Sequence, residues 1–229
     1  MTDASRPAVL FDVDGTLVDS NYLHIQAWSE AFDAAGSPVD DARIHRAIGM
    51  DSAKLLSSLL GDDAESSIGA KASKKHKKSY RKLAGRLRPF DSSKALLQRL
   101  FDGGLQVALV TSAPPDELAE LRKALDSDAF VSMATSADDV ETAKPEPDLI
   151  QVALDRAGVT ATDAVMVGDA VWDGVAARRA GVPFIAVLTG GNSVAELTDA
   201  GAVAVYENVG ELLQKLDTSP LRPLLDRVG

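Results

Sequence analysis

The sequence predicts an α/β fold in which a doubly wound, Rossmann-like parallel sheet carries an inserted all-helical segment. Short apolar runs alternate with helix-like segments over residues 89–229, a pattern typical of parallel strands joined by right-handed crossovers. One more apolar run, Ala8–Phe11, lies near the amino terminus, and residues 20–88 between the two parts contain helix patterns without a convincing strand. We therefore predict a core domain of residues 1–19 and 89–229 and a helical cap domain of residues 20–88.

Four helices are predicted in the inserted segment. The first covers Asn21–Ala35, where apolar residues recur near helical spacing until Gly36-Ser37-Pro38 stops the pattern. Two short helices are predicted at Asp40–Ile48 and Ser52–Leu60, and a long basic helix at Lys71–Leu87.

From Arg88-Pro89-Phe90 onward, the chain alternates between the two kinds of element. The predicted strands are Gln106–Thr111, Ala164–Val167, Phe184–Leu188 and Ala202–Tyr206. The predicted helices are Ser92–Asp102, Asp116–Asp126, 147–158 and Asp173–Ala180. Gly103 and Gly181 directly follow two of these helices, and Gly158 ends a third, as is common at helix ends.

The composition excludes several classes of protein. The 229 residues are 45% hydrophobic and 25% charged, as in an ordinary globular protein, and no apolar run is long enough to cross a membrane. There is no cysteine, which excludes disulfides, thiolate metal sites and cysteine nucleophiles. The amino terminus has no signal-peptide pattern. We expect a cytoplasmic protein with no membrane partner, acting as a monomer.

Charge is spread unevenly between the two predicted domains. Residues 20–88 carry 12 lysines and arginines against eight acidic residues, a net charge of +4, whereas the rest of the chain carries −14. This asymmetry suggests two units with different tasks and argues against nucleic-acid binding by the larger one. The basic residues between Lys71 and Lys82 fit a solvated helix face, or alternatively a surface that steers anionic substrates.

Polar residues lie at the ends of three predicted core strands and in one core loop. They are Asp12 and Asp14 in DVDGT, Thr111 and Ser112 in ALVTS, Lys144 in TAKPEPD, and Asp169 and Asp173 in GDAVWD. Because parallel strands of one sheet end at one edge, these groups are expected to meet there.

Four converging aspartates imply a cation. At 4 Å, a pair of like charges costs about 1 kcal/mol in water and about 4 kcal/mol at an effective dielectric near 20. Carboxylates together with waters and a phosphate are the usual ligands of Mg²⁺, and the lysine and hydroxyls can hold other phosphate oxygens. The set fits phosphoryl transfer.

Each of these residues also has a plainer interpretation. Asp-X-Asp-Gly occurs in ordinary turns, and Thr111 could be a strand residue chosen for its β-branch. Lys144 could be a surface lysine, and Asp173 could be a helix N-cap.

The four ordered motifs resemble those of the haloacid dehalogenase-like hydrolase superfamily, within its phosphoglycolate phosphatase and β-phosphoglucomutase group. They span residues 12–173, and the helical insertion lies where that superfamily carries its cap. The resemblance implies that Asp12 is the nucleophile, forming an aspartyl-phosphate, and that Asp14 is the acid/base.

The same resemblance assigns the remaining site residues. Asp169, Asp12 and the backbone carbonyl of Asp14 would bind Mg²⁺, and Asp173 would help to hold the metal or its waters. Lys144 would neutralise the nucleophile and the phosphoryl group. Thr111 or Ser112 would bind phosphate, and the family pattern favours Thr111.

The resemblance further favours hydrolysis of a small phosphate monoester, such as a phosphorylated metabolite or sugar. Asp14 is present, whereas dehalogenases and phosphonate-cleaving members need no proton donor there. The alternative is a β-phosphoglucomutase-like mutase, since YLHIQAW resembles the mutase stretch. Ser52 replaces the mutase's cap arginine, however, and Gly168 replaces its extra acid.

The roles of two residues in the predicted cap stay open. His24 would either contact the substrate under the cap or lie at the interface as a structural histidine. Trp28 fits the cap core better than a ligand site. A non-catalytic phosphate- or Mg²⁺-sensing module is a third alternative, which the complete set Asp12, Asp14, Lys144 and Asp169 disfavours.

Overall fold

The computed structural model describes residues 6–228, without the side chains of residues 63–67. Its strands are β1 (Ala8–Phe11), β2 (Val18–Asp19), β3 (Arg88–Pro89), β4 (Gln106–Val110), β5 (Met133–Thr135), β6 (Ala164–Gly168), β7 (Phe184–Val187) and β8 (Ala202–Tyr206). Its α-helices are α1 (Asn21–Ala35), α2 (Asp41–Ala47), α3 (Ser52–Leu60), α4 (Asp62–Leu83), α5 (Ser93–Asp102), α6 (Pro115–Leu125), α7 (Asp148–Ala157), α8 (Val171–Ala180), α9 (Val194–Asp199), α10 (Val209–Gln214) and α11 (Arg222–Leu225).

Within the described residues, six strands form one parallel sheet in the order β5-β4-β1-β6-β7-β8. The order runs outward in both directions from β1, which is what double winding through right-handed crossovers produces. Strand β1 therefore lies between β4 and β6, with Phe11 paired to Leu109 on one side and to Val167 on the other. This topology confirms the predicted fold class.

Both faces of the sheet are buried. Val9 and Phe11 point into one hydrophobic cluster, and Ala8 and Leu10 point into another on the opposite face. Side chains alternate between faces along a strand, so a strand covered on both sides must be apolar throughout, as AVLF is.

Helices α1 to α4 leave the core and return through a short antiparallel ribbon. Val18 pairs with Pro89 and Asp19 with Arg88, so the outgoing and returning segments lie side by side. These helices also share a hydrophobic cluster of their own, around Trp28, Phe32 and Ile44. The predicted domain boundaries fall in this ribbon, and the division into core and cap stays a prediction. We call residues 20–88 the cap segment.

Several predicted bounds were wrong. Helix α4 begins at Asp62 rather than Lys71, because the polar stretch after Gly61 continues the helix without an apolar pattern to reveal it. It ends at Leu83, where a 3₁₀ turn follows. Arg88 belongs to a strand, although none was predicted in residues 20–88.

Two predicted core elements have other bounds, and some core elements were not predicted. Helix α8 starts at Val171, two residues before its predicted start, and β4 ends one residue before its predicted end. Strand β5 was missed because it has only three residues and lies at the sheet edge. Helices α9 to α11 have four to six residues, too few for a periodic pattern to emerge. None of the helices described here combines the length and apolar character needed to cross a lipid bilayer.

The buried sheet predicts a contrast between two strand valines. Val107 in β4 is fully buried, whereas Val203 in β8 is 60% exposed. We expect Val107→Ala to lower the free energy of unfolding by about 2 kcal/mol, through lost apolar burial and the cavity left behind. Val203→Ala should change it by less than about 0.5 kcal/mol. Urea denaturation followed by circular dichroism measures both, and equal effects would contradict the described burial.

Candidate active site

The carboxyl ends of three neighbouring strands form the candidate site. Asp12 follows β1, Thr111 follows β4 and Asp169 follows β6, and each of these side chains is at least nine-tenths buried. Because β1 lies between β4 and β6, Asp12 stands at the centre of the group. The predicted convergence at one edge of the sheet is therefore present.

Lys144 reaches this centre from the loop before α7. Its ammonium donates to Asp12 Oδ1 at 2.5 Å and to the Val110 carbonyl at 2.8 Å, and it lies 2.9 Å from Asp173 Oδ1. Burial lowers the pKa of Lys144, but the carboxylates of Asp12 and Asp173 outweigh burial and raise it. Lys144 is 1% exposed, so the surface-lysine interpretation is wrong.

Asp169 is held by two polar side chains from the first loop. Thr16 Oγ1 donates to its Oδ1 at 2.7 Å, and Asn21 Nδ2 donates to its Oδ2 at 2.8 Å. A Cβ atom at Gly190 would lie 1.9 Å from Asp169 Oδ2, so only glycine fits beside this carboxylate. Burial, followed by the charge of Asp173, raises the pKa of Asp169 to about 7.

Asp173 is the third residue of α8 and not its N-cap. Its Oδ2 accepts from the backbone N–H groups of Asp169 and Ala170 at 3.2 and 3.0 Å, which satisfies donors at the helix start. A Cβ atom at Gly168 would lie 2.4 Å from the same oxygen. The buried Asp173 carboxylate therefore excludes any larger residue at position 168.

Three carboxylates and one ammonium meet in this centre. One oxygen from each of Asp12, Asp169 and Asp173 lies within 4.8 Å of the others. Burial raises the pKa of Asp12 well above its usual value, with Lys144 acting in the opposite direction. With all three acids ionised and Lys144 protonated, two negative charges remain, which is the charge that one divalent cation balances. The oxygen-only donor set suits Mg²⁺.

Asp14 belongs to a separate polar chain that leads into the cap segment. Its Oδ1 accepts from Ser20 Oγ at 2.5 Å and lies 3.3 Å from His24 Nε2. The other ring nitrogen of His24 lies 3.2 Å from His76 Nε2. Burial favours a higher pKa for Asp14, but the hydrogen bonds from His24 and Ser20 outweigh it and hold that pKa below its usual value.

The two histidines differ in how readily they take up a proton. Burial lowers the pKa of both, but the hydrogen bond to Asp14 outweighs burial at His24 and raises its pKa. His76 has no such acidic partner, so burial and the neighbouring His24 hold its pKa well below the usual value. Of the two imidazoles, His24 beside Asp14 is therefore the one that favours the protonated form. Trp28 stacks on His76 with 4.1 Å between ring centroids and belongs to the hydrophobic cluster of the cap segment.

Thr111 and Ser112 both line the cavity beside Asp12 and Asp14. Thr111 Oγ1 accepts from the Ala113 backbone N–H at 3.0 Å, which leaves its own proton free to donate. Ser112 Oγ is buried and has no hydrogen-bond partner among the described groups. Either hydroxyl can donate to a bound phosphate, so the geometry leaves both as candidates.

The cap segment touches the loop that carries Lys144. The Asp51 backbone N–H donates to the Lys144 carbonyl at 3.0 Å, and Lys54 donates to Glu146 at 2.7 Å. Glu146 also accepts from Arg179 of α8 at 2.7 Å. The position of the cap segment and that of the Lys144 loop are thus linked by direct contacts.

Sequence reasoning missed several residues of this site. Thr16 is the last residue of DVDGT and Ser20 lies four residues later. Their closeness to Asp12 and Asp14 in the sequence could have marked them as candidate site residues. Asn21, His76 and Glu117, the last of which lines the same cavity, lie in helices. They could not be singled out without knowing which helix face meets the core.

Comparison with known proteins places the chain in a family. The family model described as haloacid dehalogenase-like hydrolase matches residues 9–187, which include the whole site described above. The chain belongs to the haloacid dehalogenase-like hydrolases. This membership confirms the resemblance drawn from the four motifs.

Several relatives of this hydrolase are named phosphatases. A phosphorylated carbohydrates phosphatase from Thermotoga maritima is 26% identical, over 87% of this chain and 94% of the relative. A phosphoglycolate phosphatase from Xanthomonas campestris pv. campestris is 31% identical, over 80% and 83%. The crystal structure of a hydrolase from Pseudomonas syringae matches with a TM-score of 0.88 and 36% identity, covering 93% of this chain and 99% of that one. Family and relatives together make the protein a phosphatase.

The raised pKa of Asp169 predicts a pH-dependent effect on stability. A carboxyl with a pKa of about 7 when folded and 3.8 in its ordinary state binds more protons in the folded protein between those values. Its contribution to stability therefore falls as the pH rises from about 4 to about 7. Asp169→Asn removes this loss. We expect Tm of the variant minus Tm of the wild type, measured in EDTA, to be more positive at pH 8 than at pH 5.

The matched control for this measurement is Asp199→Asn, which changes an exposed carboxylate of α9. Its Tm difference should not vary between the two pH values. A constant difference for Asp169→Asn as well would contradict the raised pKa.

Proposed function

We propose that this hydrolase is a Mg²⁺-dependent phosphatase that cleaves small phosphate monoesters through an aspartyl-phosphate at Asp12. The observation that supports it most is the bridge from Lys144 to Asp12 Oδ1 at the floor of the cavity. It occupies one carboxylate oxygen, while the other is contacted among the described groups only by Thr16 Oγ1, at 3.5 Å. One oxygen of Asp12 is thus available for attack.

In the first half-reaction, an Asp12 oxygen forms a bond to phosphorus as the bond to the leaving alcohol breaks. Lys144 neutralises Asp12 and the phosphoryl oxygens, and Thr111 or Ser112 donates to the remaining oxygens. A Mg²⁺ ion held by Asp12, Asp169, the Asp14 carbonyl and, directly or through water, Asp173 would supply further neutralisation of charge on the phosphoryl group.

The leaving alcohol takes its proton from the Asp14–His24 pair. The pKa of Asp14 lies below its usual value, so the free carboxyl is ionised at neutral pH, while the pKa of His24 is raised. The pair therefore holds one proton, which passes through Asp14 to the leaving oxygen. In the second half-reaction, Asp14 takes a proton from the water that attacks the aspartyl-phosphate.

Hydrolysis is favoured over the mutase reaction by the walls of the cavity. Ser52 lines it where a mutase-like chain would carry an arginine, and no lysine or arginine lines it in the described part of the chain. A second phosphate group would have no lysine or arginine to pair with there, and both ring nitrogens of His24 are already engaged. The partner we propose is a small phosphorylated metabolite bound by a monomer, without nucleic acid or membrane.

Asp12→Asn tests the proposed nucleophile. We expect kcat with p-nitrophenyl phosphate to fall at least about 1,000-fold, since an amide cannot form the intermediate. EDTA should abolish wild-type turnover, and Mg²⁺ should restore it. A beryllofluoride adduct should form at residue 12 in the wild type, as seen by mass spectrometry or crystallography.

Asp19→Asn is the matched control, because Asp19 is an exposed aspartate seven residues after Asp12 along the chain, in β2. Its kcat should stay within about twofold of the wild type. Brisk turnover by Asp12→Asn, or undiminished activity in EDTA, would refute the proposal and favour a non-catalytic module or a different nucleophile.

Asp14→Asn tests the proton transfer. Release of an alkyl alcohol in a single turnover should slow by about 100-fold or more, whereas release of p-nitrophenol, which needs little protonation, should slow far less. Rapid-quench measurements of the alcohol released give both rates. An equal slowing with both leaving groups would count against the acid role of Asp14.

A further inference from the structure

The cavity above the candidate site is small and mostly apolar. It has a volume of about 60 Å³ and opens between the cap segment and the core. Since one water needs roughly 10–15 Å³ on the same measure, this is a small space. Its apolar walls come from Trp28, Ile48, Met50, Leu55, Ala113 and Pro114. Only a short leaving group fits beside the phosphate.

Glu117 is the one carboxylate that lines this cavity besides Asp12 and Asp14, among the described residues. It lies in the first turn of α6 and is 6% exposed. Its carboxylate accepts no hydrogen bond in the described part of the chain, although buried polar groups are normally paired. Burial raises the pKa of Glu117, and the nearby charge of His24 acts in the opposite direction without cancelling it.

The cationic side chains near the cavity are engaged elsewhere. Lys77 and Arg81 of α4 both pair with Asp116, at 2.9 and 2.7 Å, on the outer side of α6. Lys54 pairs with Glu146. The first N–H groups of α3, next to Ser52, are already capped by Asp51.

The histidines of the cavity offer no free cationic donor either. Both ring nitrogens of His24 have partners, Asp14 and His76. His76 is buried and neutral, because its pKa is held well below the usual value. An anionic leaving group would thus face Glu117 and Asp14, while His24, the imidazole with the raised pKa, already has both ring nitrogens engaged. Two carboxylates without a free cationic donor make this a costly place for an anion in a buried site.

We propose that Glu117 selects phosphate monoesters whose short leaving group carries a hydrogen-bond donor, a hydroxyl or an ammonium, and no second negative charge. This inference rests on the proposed phosphatase function and narrows its substrate class. The Glu117 carboxylate accepts a hydrogen bond from the leaving group, since no group of the described protein donates one to it. It repels a carboxylate or phosphate at the same position of the leaving group. Glu117 is a specificity residue, since the proposed reaction needs no chemistry from it.

A two-carbon series tests the proposal, because its members differ at one terminal group. The esters are 2-hydroxyethyl phosphate, 2-aminoethyl phosphate, ethyl phosphate and phosphoglycolate. For the wild type, we expect kcat/KM for the hydroxyethyl or aminoethyl ester to exceed that for ethyl phosphate about tenfold and that for phosphoglycolate about 100-fold. The order of the first two tells whether the bound donor is neutral or cationic.

Glu117→Gln removes the charge and keeps the shape. We expect its preference for hydroxyethyl phosphate over phosphoglycolate to shrink at least tenfold, with a several-fold loss on the hydroxyethyl ester. Glu120→Gln is the matched control, since Glu120 is exposed three residues further along α6. Its preference should equal that of the wild type.

Three results would overturn the inference. The first is a wild type that cleaves phosphoglycolate as fast as the hydroxyethyl ester, which leaves the phosphatase function intact. The second is a Glu117→Gln variant with altered Tm and an unchanged preference, which would assign Glu117 a structural role, such as a bond to the buried, unpartnered Tyr80 hydroxyl. The third is that neither p-nitrophenyl phosphate nor any ester of the series is cleaved, which refutes the proposed function as well.

Discussion

The site is organised around one buried ammonium. Lys144 bridges Asp12 and Asp173, and all three side chains are nine-tenths or more buried. Removing one partner from a buried ion pair costs about 3–5 kcal/mol, because the remaining charge has neither water nor a counter-ion. Asp12 and Asp173 can thus share one end of the sheet only because Lys144 lies between them.

The neighbouring residues extend this arrangement. Asp173 uses its other oxygen to accept from the backbone N–H groups of Asp169 and Ala170, just before α8, and Asp169 is fixed by Thr16 and Asn21. Small residues surround the carboxylates, since a side chain at Gly168 or Gly190 would collide with one of them. Hence the loops around the acids have little freedom to vary, whereas the walls of the cavity above them can change without disturbing this frame.

The core was predictable because its signals are local. A buried parallel strand is apolar throughout, and a carboxylate just after such a strand must lie at the sheet edge, so AVLF followed by Asp12 locates both. The DVDGT, ALVTS, TAKPEPD and GDAVWD motifs also carry a family resemblance that the family match confirms. The roles assigned to the individual residues stay predictions.

The remainder depends on how helices pack across the site. Nothing in the sequence tells that His76 of a basic helix meets His24, or that Glu117 faces the cavity while Asp116 faces α4. The start of α4 was missed for a related reason: polar residues can extend a helix without an apolar stripe. Contacts between distant segments are set by tertiary packing, which periodicity within one segment does not encode.

The hydrogen bond from the Asp51 N–H to the Lys144 carbonyl has a consequence for bulky esters. An ester too large for the cavity would hold the cap segment away from the core. The loop that carries Lys144 would then lose its hydrogen bond to the Asp51 N–H. Such a molecule would be penalised twice, once in how tightly it is held and again in how fast it reacts. Selection by size would then be visible in turnover as well as in affinity.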